Sequence, residues 1–508
     1  MEFVDIERSK KRLKNIIFFG FLIIYSILVV YLSYKINISE DETYTLNTTS
    51  RNLSGVIRQS YDFEGQPPFY FILLSLWRHF NHGIFFAKLF SLVCIGLSAF
   101  SFYRLVKYFA GTECAKWLLI IFLLNPFTVW AALEMRTYAL LIFLSTLSVY
   151  FFFRYYFENN NKFLYAFLLF SVIGIYTQYF FLFLIASFAI TILAFKGWKK
   201  FFIFCLYLLP VIVVFLPNLF FLPSQINLMK SNSSQLFSLS LISNIIYTPL
   251  NLTLAINQVS NVWINRLLRL CFYSASLYIY LKLLRNYLIH NDSFLKKYNV
   301  VLFTIPLLIV FFCIGFEITN VGYNHKYMVV VFPVLMLLFI IFKNYSTILR
   351  NVIYISISLY FIILLTKNYR HPVKTYDYIS VANFIQKIEL PNQPILIYRP
   401  AIALPFKYYY TGKNKIIPIP YPVRFDSSFL INIKDTNELK QSIENIKTTS
   451  NSYIMLSDTT IFESDLTMNR EMVSEFINEH YKVTLDTLYK GWGKEKSLRI
   501  REFEKNKD

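Results

Sequence analysis

The residue types best suited to chemistry crowd into one stretch, Ile38 to Tyr70, which begins I-S-E-D-E-T-Y and ends G-Q-P-P-F-Y. Residues 1–370 hold only thirteen carboxylates, and five of them (Glu40, Asp41, Glu42, Asp62 and Glu64) fall here, with Arg51 and Arg58 between. In a chain that is 56% hydrophobic, acids gathered beside a bilayer surface point to chemistry at that surface. Three further clusters stand out: Gln66-Pro67-Pro68, Glu134-Met135-Arg136-Thr137-Tyr138, and Tyr323-Asn324-His325-Lys326-Tyr327. A carboxylate can take a proton from an attacking hydroxyl, and Arg and Lys can neutralise an anion. Each cluster also has a plain structural reading: a solvated charge pair, a Pro pair opening a helix, a tight helical hairpin, an interfacial Lys anchor. Their common side of the membrane is what argues for function.

The elements that position these clusters are membrane spans. Apolar runs near the roughly 20 residues needed to cross a bilayer recur at about 16–34, 84–106, 115–133, 137–157, 163–177, 179–195, 201–222, 264–285, 298–316, 326–342 and 351–366, which is eleven helices. The segment Pro67 to Phe80 is too short to span, and is read as lying along the interface or entering the bilayer partway. The first span follows Lys10, Lys11, Arg12 and Lys14 but is long and lacks a small-residue cleavage pattern, so it reads as a retained helix. One set of connections carries 19 Lys and Arg in 66 positions, the other 10 in 117. By the positive-inside rule the N-terminus is cytoplasmic, and the acidic first loop (35–83), the long Ser- and Asn-rich loop (223–262, a candidate lid) and everything after Thr366 lie outside.

Residues 371–508 change character and carry 17 of the 30 acids. Helices are expected at 376–388, 436–447 and 470–480, and strands at 394–398, 416–419 and 452–457, the pattern of a small α/β domain. Its acids show no paired-site spacing, so the domain reads as accessory to a membrane domain of residues 1–370. The net charge of +20 punctuates the spans and forms no basic stripe on a soluble fold, which argues against nucleic acid. All five cysteines lie in or beside apolar runs, indicating neither a disulfide framework nor a Cys metal site.

The order of a first helix, an outer loop opening on Asp41-Glu42, the Pro67-Pro68-Phe69-Tyr70-Phe71 run and the hairpin N-P-F-x-x-W-A-x-x-E-M-R-T-Y-A-L resembles the bacterial GT-C glycosyltransferases. The similarity is to the protein O-mannosyltransferase and lipid A aminoarabinose transferase group, with motif support over residues 10–200. The resemblance implies a polytopic α-helical membrane protein of about eleven spans with a C-terminal soluble α/β domain. It also implies a multi-pass enzyme of the cytoplasmic membrane that moves a sugar from a polyprenyl-phosphate donor to a lipid, glycan or protein acceptor on the outer face. Residue by residue, it makes Asp41 the base with Glu42 beside it, and places Gln66 where the family usually has His or Lys. Arg136 falls on the Arg of the E-x-R-x-Y pattern formed with Glu134 and Tyr138, and Lys326-Tyr327, preceded by His325, on an Arg-Tyr pair.

The chemistry is consistent with those assignments. A phosphate leaves as a weak base, so one carboxylate suffices where glycoside hydrolysis needs two; Arg136, Lys326, Arg58 and Arg51 are the outer cations available to the departing group. His79, His82, His325 and His371 share the outer side but lack a close ligand spacing, so no metal is assigned and a divalent ion is left as an alternative. Two other classes remain open. A lipid or polysaccharide transporter should place charges at mid-helix or break paired helices, and a polysaccharide polymerase needs neither the acidic first loop nor the α/β domain.

Overall fold

In a bilayer every backbone polar group must be satisfied within the segment, so the apolar runs fold as helices. The computed structural model describes residues 2–231, 239–259, 261–289, 293–319, 325–419, 422–423, 452–458, 481–491 and 497–505. In chain order the helices are α1 (Glu2–Lys35), α2 (Glu40–Thr49), α3 (Leu53–Asp62), α4 (Phe69–Phe80), α5 (Ile84–Ala110), α6 (Thr112–Leu124), α7 (Pro126–Leu133), α8 (Tyr138–Glu158), α9 (Asn161–Ile175), α10 (Phe181–Phe215), α11 (Leu222–Ser231), α12 (Leu239–Leu254), α13 (Val262–Ile289), α14 (Ser293–Thr319), α15 (Phe332–Met336), α16 (Thr347–Tyr369), α17 (Tyr378–Ile388) and α18 (Pro400–Tyr409). The protein is a multi-pass membrane protein. Among the described residues seven helices are long and apolar enough to cross a bilayer, and α6 with α7 makes an eighth, bent by 58°. The expected count of eleven depends on segments that length and composition alone leave undecided: the 15-residue α9, the charge-bearing α13, and α10, which joins the expected 179–195 and 201–222 spans across Gly197 at φ 78°.

The bend between α6 and α7 follows from three residues, Asn125-Pro126-Phe127. Pro126 has no N–H to continue α6 and its ring suits the first position of a new helix. Asn125 caps α7 by accepting from the Phe127 N–H at 2.8 Å, while its amide donates to the Leu252 and Thr253 carbonyls at 3.0 Å each. Where a straight helix was expected over 115–133, the span is therefore broken, and the break delivers Glu134 to Thr137 as a non-helical link before α8.

The chain divides into two compact units: residues 1–34 with 49–367, and residues 35–48 with 368–508. The first is the helical membrane unit. The second contains a five-stranded sheet of β1 (Ile395–Tyr398), β2 (Ile416–Ile419), β3 (Ser452–Asp458), β4 (Tyr481–Lys490) and β5 (Ser497–Lys505), in the order β2-β1-β3-β5-β4. β1 pairs parallel with β2 and β3, whereas β5 is antiparallel to β3 and β4. Ile395, Ile397, Ile454, Leu456 and Ile500 cover one face, packed with Val381, Ile385, Ile402 and Phe406 of α17 and α18. The three expected strands and the first expected helix are present; β4, β5 and α18 are additional, and the helices expected at 436–447 and 470–480 lie outside the described residues.

Candidate active site

Glu40, Asp41 and Glu42 belong to the second unit, where the start of α2 is built into the C-terminal fold. Ser39 and Glu42 form a capping box: the Glu42 N–H donates to Ser39 Oγ at 3.4 Å and the Ser39 N–H to Glu42 Oε2 at 2.8 Å. The other Glu42 oxygen lies 2.7 Å from Lys374 Nζ, and the Glu42 side chain is fully buried. Just before the helix, Asn37 donates to the Tyr376 carbonyl at 2.7 Å and accepts from the Lys374 N–H at 2.8 Å. The Ile38 N–H donates to the Tyr409 hydroxyl at 2.7 Å. Burial pushes the Tyr409 hydroxyl well above the usual phenol range, so it stays neutral there.

A second tie uses Arg399, a non-glycine residue at φ 72°, a left-handed conformation that costs on the order of 1–3 kcal/mol. Its guanidinium lies 2.5 Å from Asp458 and 3.6 Å from Glu40, and Tyr376 donates to Asp458 at 3.0 Å. Burial alone would lower the Arg399 pKa, but Glu40 and Asp458 outweigh it and leave it raised. Asp41, in the first turn beside these two anchored acids, is the exposed member of the three. Neighbouring side chains on a helix point about 100° apart, so Glu42 can be buried as a cap and ion-pair partner while Asp41 faces outward.

The other candidates belong to the membrane unit. Glu64 follows α3 in a tight turn: the Glu64 N–H donates to the Gln59 carbonyl at 3.1 Å, and Gly65 at φ 61° turns the chain so that the Gln66 N–H reaches Ser60 O at 2.9 Å. That turn sets Glu64 Oε2 2.7 Å from Arg136 Nη1, and the Glu64 side chain is wholly buried. Ser91 of α5 donates to the Glu134 carbonyl at 2.6 Å, tying the α7–α8 link to α5. Beyond the link, Tyr138 stands 4.8 Å from the Trp130 ring, and Lys326 Nζ sits 5.1 Å above that same ring, a cation–π contact of about 0.5–2 kcal/mol.

Placement sorts the remaining candidates. Arg58 is exposed and pairs along α3 with Asp62 at 3.3 Å, an arrangement that contributes little. The Gln66 Oε1 is buried with no hydrogen-bond partner among the described residues, as is the Oε1 of Gln178. Each is an open acceptor, which a buried amide rarely tolerates without a ligand or water. Tyr327 packs its ring 5.6 Å from Phe180, and His325 opens a 3-10 segment, His325–Val331; Tyr323 and Asn324 lie outside the described residues. His79, His82 and His371 are exposed, and no group of three or more His, Cys, Asp or Glu suited to a metal occurs among the described residues.

Glu64, an acid of the first loop left without a role from the sequence alone, is buried, and so are two charges outside the list of candidates, Arg78 on α4 and Lys88 on α5. Arg78 donates to Thr49 Oγ1 at 2.5 Å and Lys88 to the Ser33 carbonyl at 3.3 Å. The sequence signal was present, because a charge inside or at the rim of an apolar membrane segment is a functional residue by default. With Glu134 and Arg136 they make five charges at most 9% exposed in a chiefly apolar unit. Removing that many charges from water is costly, and the set has more cations than anions.

No protein-family model matches the chain, and no curated protein does. Among solved structures, ArnT from Cupriavidus metallidurans in the apo state is similar over 95% of this chain and 98% of its own, at a TM-score of 0.57 and 11% identity. ArnT from the same organism bound to undecaprenyl phosphate gives 0.51 and 10%, over the same shares. The chain shares the ArnT fold over almost its whole length.

Proposed function

We propose that the chain transfers a sugar from a polyprenyl-phosphate donor to a hydroxyl of a lipid, glycan or protein on the outer face of the cytoplasmic membrane, with inversion at the anomeric carbon. The observation that carries this reading is the buried Glu64–Arg136 pair, in a membrane unit whose buried charges include more cations than anions, in a fold shared with a protein solved bound to undecaprenyl phosphate. A lipid phosphate is the ligand that such a set suits: it brings negative charge to a place where cations are already desolvated. Arg136, and Lys326 above Trp130, neutralise the phosphate as the bond from its oxygen to the anomeric carbon breaks. Trp130 and Tyr138 supply an aromatic wall for a sugar, and the open acceptor oxygens of Gln66 and Gln178 accept hydrogen bonds from its hydroxyls.

Asp41 accepts the proton of the attacking hydroxyl. A single displacement with one base inverts the carbon it attacks and needs no general acid, since the phosphate departs without protonation. The distribution of Lys and Arg supports a cytoplasmic N-terminus and a C-terminal unit outside the membrane. Mass analysis of envelope glycolipids and glycans from cells with and without the protein identifies the transferred sugar. Purified protein in lipid, given that sugar on undecaprenyl phosphate, should then transfer it in a single turnover. No difference in envelope sugars, together with no turnover on any polyprenyl-phosphate sugar offered, overturns the reading.

A further inference from the structure

A cavity of about 790 Å³ separates α1 from α5 and α6, lined along α1 from Asn15 to Val30 and on the far side by Leu92, Gly96, Phe100 and Leu119. It is bridged at both ends. At the basic end of α1, Lys116 donates to Asn15 Oδ1 at 2.7 Å; toward the other end, Lys88 holds the Ser33 carbonyl and Tyr34 packs edge-on against Phe85. Between these ties α1 stands off from its neighbours, although its residues are apolar and interiors pack to crystal-like density. Gly96 makes the gap plain, since a Cβ built there meets nothing within 4 Å. A void of this size with apolar walls inside a bilayer is filled by lipid.

The ends of the groove differ in chemistry, and that difference selects the lipid. At the lower mouth lie Asn15, Thr112, Glu113 and Lys116. Exposed Arg12 sits one turn below Asn15 on the same face of α1, and Lys14 is exposed beside it. Lys116 has three donor positions; Asn15 takes one, and Glu113 at 3.7 Å is beyond hydrogen-bond length. Cations therefore outnumber the one carboxylate at this mouth, as an anionic headgroup requires.

We propose that the groove is a binding site for one anionic glycerophospholipid of the leaflet at the basic end of α1, its phosphate at Lys116 and Arg12 and an acyl chain along Gly96. The lipid wedges α1 against α5 and α6. Full-length protein in mild detergent, titrated with phosphatidylglycerol or with phosphatidylcholine of the same chains, should retain one phosphatidylglycerol in native mass spectrometry, bound about tenfold more tightly than the neutral-charge lipid.

A Cβ at Gly96 meets nothing within 4 Å and Leu favours the helix, so Gly96→Leu should occupy the groove and lose the bound lipid while unfolding at or near the wild-type temperature. Lys116→Gln keeps a donor for Asn15 and should lose only the preference for phosphatidylglycerol. Equal retention of both lipids by the wild type, or undiminished binding by Gly96→Leu, refutes the site. Recovery of a polyprenyl phosphate in place of a glycerophospholipid refutes the occupant.

Discussion

Replacing Lys374 by Met separates the two adjacent acids of α2 by what each does. In the wild type one oxygen of the fully buried Glu42 carboxylate takes Lys374 at 2.7 Å and the other takes the Ser39 N–H at 2.8 Å. Breaking a buried ion pair from one side costs about 3–5 kcal/mol, because the remaining charge keeps its desolvation penalty. For a unit of this size each kcal/mol lowers the melting temperature by about 2–4 °C, so Lys374→Met should lower the unfolding temperature of the C-terminal unit by roughly 6–20 °C. Glu42→Gln combined with Lys374→Met leaves two neutral groups of similar volume and should recover most of the loss. Thermal unfolding in lipid nanodiscs reads the stability, and transfer assayed well below the lowest midpoint reads the chemistry. Unchanged stability in Lys374→Met refutes the structural role. A Glu42→Gln protein that folds normally but does not turn over would make Glu42, not Asp41, the base.

Asp41→Asn, which keeps shape but cannot take a proton, should retain carrier binding in equilibrium measurements while single-turnover transfer falls by about 100 to 10,000-fold; near-normal transfer rejects the assignment. Arg136→Ala removes a charge-assisted contact and leaves Glu64 buried beside an empty space, so donor affinity should weaken about tenfold or more, measured by competition with undecaprenyl phosphate. Truncation after Arg370 removes Lys374, Tyr376, Arg399 and Tyr409, every C-terminal partner described for residues 37–42, and should abolish transfer even if the helices insert; retained transfer would restore an accessory role for the domain.

Asp486 on β4 is held below the usual carboxylate range by its bond to Arg499. A carboxylate with a depressed folded pKa adds stability above its unfolded value near 3.9 and loses it as pH falls through the folded one. Asp486→Asn should thus cost under about 1 kcal/mol at pH 7, and the difference in unfolding midpoint should vanish in strong acid.

What the sequence disclosed follows from which forces act locally. Apolar runs and the strands Ile395–Tyr398 and Ile416–Ile419 are local signals, decided by hydropathy, and they were legible; the break at Asn125-Pro126-Phe127 is equally local, set by proline's missing donor, but a single helix was expected through it. β4 was not, because its alternating exposed residues, Lys482, Thr484 and Asp486 among them, make a half-solvated strand that composition alone reads as polar loop; β5 is placed by its pairing with β3 and β4 across the sheet. The joining of residues 35–48 to residues 368–508 was beyond reach for a different reason. Asn37, Glu40 and Glu42 find their partners more than 330 residues away, at Lys374, Tyr376 and Arg399, and no spacing rule connects charges across the ten expected spans between them. The capping box, Ser39 with Glu42, was local and readable. Recognised as S-x-x-E, it assigns Glu42 to the start of a helix as a cap and leaves the role of base to Asp41. The order of the two roles could therefore have been argued from four residues, whereas the buried charge of Lys374 that fixes Glu42 could not.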